Sequence, residues 1–106
     1  MRMLMTVTLC TKKTNDMIRT GMFESTIKKA LAQIKPEAVY FEADDAGNRT
    51  VLIFFDMQES SQMPLYAEPW FLAFNAKVTY RPVMNQQDLS AGASGFENNV
   101  KEFGKL

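Results

Sequence analysis

Residues 2–9 alternate, with Met3, Met5, Val7 and Leu9 on one side and Arg2, Leu4, Thr6 and Thr8 on the other. A period of two with β-branched members predicts a strand. The polar stretch 10–15 reads as a loop in which Thr14 or Asn15 caps a helix and Asp16 suits its first turn. Ile18, Met22, Ile27, Ala30, Leu31 and Ile34 then recur every three or four residues, which predicts one amphipathic helix up to Pro36. Gly21 falls inside that helix, at a cost of about 1 kcal/mol. Segment 37–42 and segment 50–56 are apolar strands flanking the turn signal Asp44, Asp45, Gly47 and Asn48, so a hairpin is expected. The second of them, with Val51, Leu52, Ile53, Phe54 and Phe55 in unbroken succession, is apolar on both faces and reads as an inner strand.

Residues 63–74 predict a second helix, capped by Ser60 or Ser61, with Pro64 in its first turn. Pro69 in its interior predicts a kink or two short pieces. Residues 77–84 alternate again, and Pro82 places that strand at an edge or a strand end. In the tail, Asn85 with Asp88 three residues on is close to a capping box. Leu89, Ala93, Phe96, Val100 and Phe103 then share one helical stripe, weakened by Gly92 and Gly95.

Strand, helix, strand, strand, helix, strand is the order of two split β-α-β units, which predicts an α+β ferredoxin-like βαββαβ sandwich. It has a four-stranded antiparallel sheet with the two main helices on one face and a C-terminal helix. The domain spans 1–106, with 85–106 as the helical extension. The uncovered sheet face keeps apolar residues from the third strand, joined by Leu4 and Val83, and a monomer that leaves such a face wet is at risk of association. A two-fold dimer packed sheet to sheet resolves this. The extension either covers an edge of the partner or folds back over its own sheet.

The layout resembles the dimeric α+β barrel superfamily of small ferredoxin-like proteins, which includes cofactor-free monooxygenases and muconolactone-isomerase-like members. The runs Arg2-Met3-Leu4-Met5, Lys35-Pro36-Glu37-Ala38-Val39-Tyr40-Phe41 and Ala67-Glu68-Pro69-Trp70-Phe71 through Phe74-Asn75-Ala76 are similar to a bacterial family of about this length whose role is uncharacterised. The resemblance implies a fold and a dimer rather than a reaction. The catalytic histidines of several relatives are absent here, so their chemistry does not transfer.

Composition narrows the function. Twelve Lys and Arg balance twelve Asp and Glu, which removes the positive surplus that a grip on nucleic acid or an acidic membrane needs. Segment 49–55 carries only the aromatic end of an RNA-recognition strand, without its Gly-aromatic-Gly part. The absence of histidine removes the commonest general base and metal ligand. Cys10, the single cysteine, makes neither an internal disulfide nor a cysteine zinc site, and no metal or cofactor is expected. Its thiol has no histidine to activate it, although Lys12 and Lys13 are near in sequence. The eight methionines fall mostly on apolar stripes and read as core filler. There is no apolar run of signal-peptide or bilayer-spanning length, so a cytoplasmic, non-membrane protein is expected.

Candidate ligand-binding residues follow from the sheet. Thr6 and Thr8 share a face with Thr79 and Arg81 if the first and fourth strands are neighbours, giving an apolar floor with a few polar groups. Arg81 can hold a carboxylate through two hydrogen bonds, or else pairs with Asp56 or Glu42 or lies in solvent. Tyr66 and Trp70 can stack on a flat ligand, the alternative being that Trp70, Phe71 and Phe74 anchor the core. The 12–15 loop can hold an anion at a helix N-terminus, although Asp16 opposes it and no Gly-rich cradle is present. Three functions stay open: a homodimer binding a small, partly apolar or anionic molecule between sheet and helices; a cofactor-independent enzyme of monooxygenase or isomerase type with Glu68, Asp56 or Tyr40 carrying protons; and a pure dimerisation module. An enclosed cavity beside a buried acid marks the enzyme, a cavity without one the binder, and no cavity the third.

Overall fold

In the computed structural model, which describes residues 1–104, β1 (Arg2–Thr8) has the burial that its alternation predicts: Met3, Met5 and Val7 are buried, and Arg2, Leu4, Thr6 and Thr8 are partly exposed. Two helices follow, α1 (Thr11–Arg19) and α2 (Phe23–Ile34). Next come the hairpin of β2 (Ala38–Ala43) and β3 (Arg49–Asp56), α3 (Gln62–Phe74) and the edge strand β4 (Lys77–Pro82). The tail carries α4 (Gln86–Ala93) and α5 (Phe96–Phe103). The fold is α+β, with four antiparallel strands in the order β2-β3-β1-β4. β3 is an inner strand, as its two apolar faces require.

The core lies between the sheet and α2 and α3. Met3, Met5, Val7, Val51, Ile53 and Phe55 point into it from the strands, and Ile27, Ala30, Ile34, Ala67, Trp70 and Phe74 meet them from the helices. Trp70 stacks on Phe74 with ring centroids 5.5 Å apart. Phe55 meets the rings of Tyr66 and Tyr80 edge-on. The Tyr80 hydroxyl donates to the Met63 carbonyl at 2.7 Å, tying β4 to the start of α3.

Several expectations need correction. The 10–15 stretch is not a loop: α1 begins at Thr11, directly after the strand, with Cys10 at its N-cap. Lys12 and Lys13 are exposed, while Thr14, one turn on from Cys10, is fully buried with its hydroxyl unpartnered. Neither Thr14 nor Asn15 is a cap, because both lie inside the helix. The single long helix is two, broken at Gly21, whose φ of 75° is left-handed and ends α1. The break turns Ile18 and Met22 out of the core stripe, and both are exposed. At α3, neither Ser60 nor Ser61 caps through its side chain; the Gln62 side-chain oxygen instead accepts from the backbone N–H groups of Gln58 and Glu59. One helix runs through Pro69, so the segment is not two short pieces. Two left-handed residues, Lys35 and Asn75, terminate α2 and α3.

In the hairpin turn, the Asp44 carboxylate accepts from the Ala46 and Asn48 amides, and Gly47 takes φ 81°. At the tail, Asn85 and Asp88 form the full capping box, each side chain accepting from the other's backbone N–H. The extension breaks at Ser94 and Gly95 into α4 and α5. Residues 105 and 106 of the expected extension lie outside the described residues. Leu89, Phe96, Val100 and Phe103 are all exposed, Phe103 at 84%. The chain extends 62 Å along its longest axis and has a radius of gyration of 18.1 Å. A compact chain of this length has one of about 13 Å. The tail is therefore an arm that leaves the body.

Candidate functional site

The strand register assembles the face that the helices leave open. Leu4 lies between Phe54 and Arg81, Thr6 between Leu52 and Thr79, and Tyr40 pairs with Leu52. Alternation puts all of these opposite the buried Met3, Met5 and Val7. Tyr40, 60% exposed, meets Phe54 edge-on at 6.4 Å. The centre of the face is thus Leu4, Leu52, Phe54 and Tyr40, and Thr6, Thr8, Thr79 and Arg81 frame it on the β1–β4 side. Arg81 forms no ion pair among the described residues, because the acids weighed for it are engaged or distant. Asp56 takes the N-terminal ammonium at 2.9 Å and the Gln58 amide, and Glu42 lies on the far edge strand.

Tyr66 and Trp70 do not join this face. Both point into the core from α3, on the opposite side of the sheet, and Trp70 is fully buried with its indole N–H unpartnered. They cannot stack on a ligand lying on the open face. Glu68, Asp56 and Tyr40 are all exposed, and the only buried polar residues among those described are Thr14 and Thr50. No enclosed cavity beside a buried acid is formed among the described residues. The Asp56 carboxyl is held below its ordinary value by hydrogen bonds from the N-terminus and then Gln58, which favours the charged form and removes it further from proton transfer at neutral pH.

At the start of β1, Arg2 gathers two acids, Glu37 at 3.1 Å and Asp88 at 2.7 Å. The hydrogen bond to Glu37, followed by its charge, pushes the guanidinium pKa up. Arg2 shares the open-face alternation of Leu4 and Thr6, so Asp88 roots α4 on that side of the sheet. A groove of about 610 Å³ between Arg2, Glu37, Asp56, Val83 and Asp88 marks this root.

Between sheet and helices the core fills the centre, and clefts open only towards its margins, one of them at the β2 edge. There a cleft of about 490 Å³ opens between the strands and the α1–α2 turn, lined by Leu9, Ile18, Phe23, Phe41 and Arg49. Phe41 and Arg49 share its side of the sheet with the buried Val51, because Phe41 pairs with Val51 and Arg49 stands two residues before it. Sequence reasoning missed Arg49. Its signal was parity: an arginine in step with Val51, Ile53 and Phe55 belongs to the apolar side of the strand. No group of three or more metal-ligating side chains, and no helix long and apolar enough to cross a membrane, occurs among the described residues. Comparison of the chain with protein-family models, curated proteins and solved structures finds no match.

Proposed function

We propose that this chain is a ferredoxin-like domain of the dimeric α+β barrel kind, which pairs with a second copy through its open sheet face and binds a small, partly apolar or anionic molecule in the space so enclosed. The strand order supports the fold reading: β1 and β2 flank β3, and β3 and β4 flank β1, as two interleaved split units require. The observation that carries the function is the open face itself, an apolar centre of Leu4, Leu52, Phe54 and Tyr40 framed by Thr6, Thr79 and the unpaired Arg81. Convergent polar groups around an apolar floor suit a small ligand.

Area argues for the arm as part of the same interface. A stable dimer buries about 800 Å² on each partner. Four short strands offer a face on the order of 20 by 15 Å, too little alone. The arm adds about 25 Å of helix with an exposed apolar stripe and starts on the open side of the sheet. Its occupant is then the second copy. A cytoplasmic location fits the lone cysteine.

Mass by light scattering tests this reading. Twice the 12.1 kDa chain mass is expected, falling to one chain for Leu52→Lys, which sets a charge in the middle of the interface. A wild-type chain that stays at single mass at tens of micromolar overturns it.

A further inference from the structure

We propose that the cleft at the β2 edge is a second binding site, independent of the open face, which takes the carboxylate of a small amphipathic acid on Arg49 and its apolar part against Ile18, Phe23 and Phe41. The cleft exists because the helical layer stops short. Gly21 turns the chain between α1 and α2, and the edge strand beneath is left uncovered, with Phe41 60% and Ile18 46% exposed. Its volume of about 490 Å³ falls within the range of small-molecule sites.

Arg49 gives the site its chemistry. One of its terminal nitrogens, Nη1, is buried and has no hydrogen-bond partner, and no carboxylate of the described residues lies within ion-pair distance. A guanidinium keeps its charge at any physiological pH, so it cannot relieve a buried N–H by losing a proton. Nη1 itself is closed off, so an acceptor in the cleft meets the rest of the guanidinium, whose charge no acid among the described residues balances. A carboxylate matches the planar fork with two parallel hydrogen bonds. Glu42 also borders the cleft, but it pairs with Thr50, and alternation directs its side chain to the other face of the sheet. One cation among apolar walls suits a monoanion with a hydrocarbon or aromatic body. A phosphate ester would need more donors than Arg49 supplies.

Octanoate and octanol, titrated calorimetrically into the intact chain, separate charge from greasiness. Octanoate is expected to bind about tenfold more tightly than octanol, the difference that a charge-assisted hydrogen bond supplies. Arg49→Gln should abolish that preference while leaving octanol binding and the mass in solution unchanged, and Arg49→Lys should restore part of it. Ile18→Glu should weaken both probes. Arg81→Ala should change neither. Equal affinities in the wild type, no octanoate binding, or a loss caused by Arg81→Ala and not by Arg49→Gln overturns the proposal. The pairing of two copies is read separately by mass, so either idea can fail without the other.

Discussion

Tyr80 shows how one residue sets a response to pH. Its ring packs against Phe55 in the core while its hydroxyl reaches the Met63 carbonyl. Burial, reinforced by the nearby Tyr66, pushes its pKa up to about 12 from an ordinary 10.0. The folded chain therefore holds the phenol proton after the unfolded chain has released it. The associated stability is complete below about pH 10 and drains away as the pH climbs through about 12. Urea midpoints measured between pH 9 and 12 should fall along that window, and Tyr80→Phe should flatten the slope. An unchanged slope in the variant would assign the alkaline loss to other groups. Arg49 and Trp70 belong to this scale too, since each buries an N–H without a partner. The indole is sealed in the core, whereas Arg49 also borders an open cleft.

Among the elements, the α1–α2 break is the clearest departure from the sequence pattern. In an unbroken helix, Gly21→Ala would stabilise by about 1 kcal/mol. With φ at 75°, and open space where a Cβ would stand, the same change costs about 1 kcal/mol through backbone strain alone. The melting temperature should drop by several degrees, and a rise would show a continuous helix instead. The strands and the capping box were legible because their signals are local: alternation in 2–9, a turn cluster at 44–48, and Asn85 with Asp88. The start of α1 was not, since Thr11, Lys12 and Lys13 look like loop residues and a helix with a single fully buried position has almost no apolar stripe. The break at Gly21 was equally hidden, because Ile18 and Met22 keep helical spacing with the core positions of α2 although both are exposed. On the open face, parity groups Thr6 with Thr8 and Thr79 with Arg81, and the adjacency of β1 and β4, which parity does not give, brings the two sets together. The Arg49 cleft depends on where the helices stop, which no spacing along the chain records.

At the scale of the whole molecule, the arm stands apart from the core. The core lies between sheet and helices, and Phe96, Val100 and Phe103 take no part in it. Charges placed on their stripe should leave the fold intact. Val100→Glu combined with Phe96→Glu is expected to keep the circular dichroism spectrum while weakening self-association by tenfold or more, read by sedimentation at several concentrations. Unaltered association would remove the arm from the proposed interface and leave the sheet face alone to sustain it. The arm also bears on how the particle travels through a porous medium. A body 62 Å long and 20 Å thin tumbles and sieves like a larger sphere. On a column calibrated with rounded standards, a lone chain would elute early enough to pass for two, so retention volume would be a poor judge of stoichiometry for this protein.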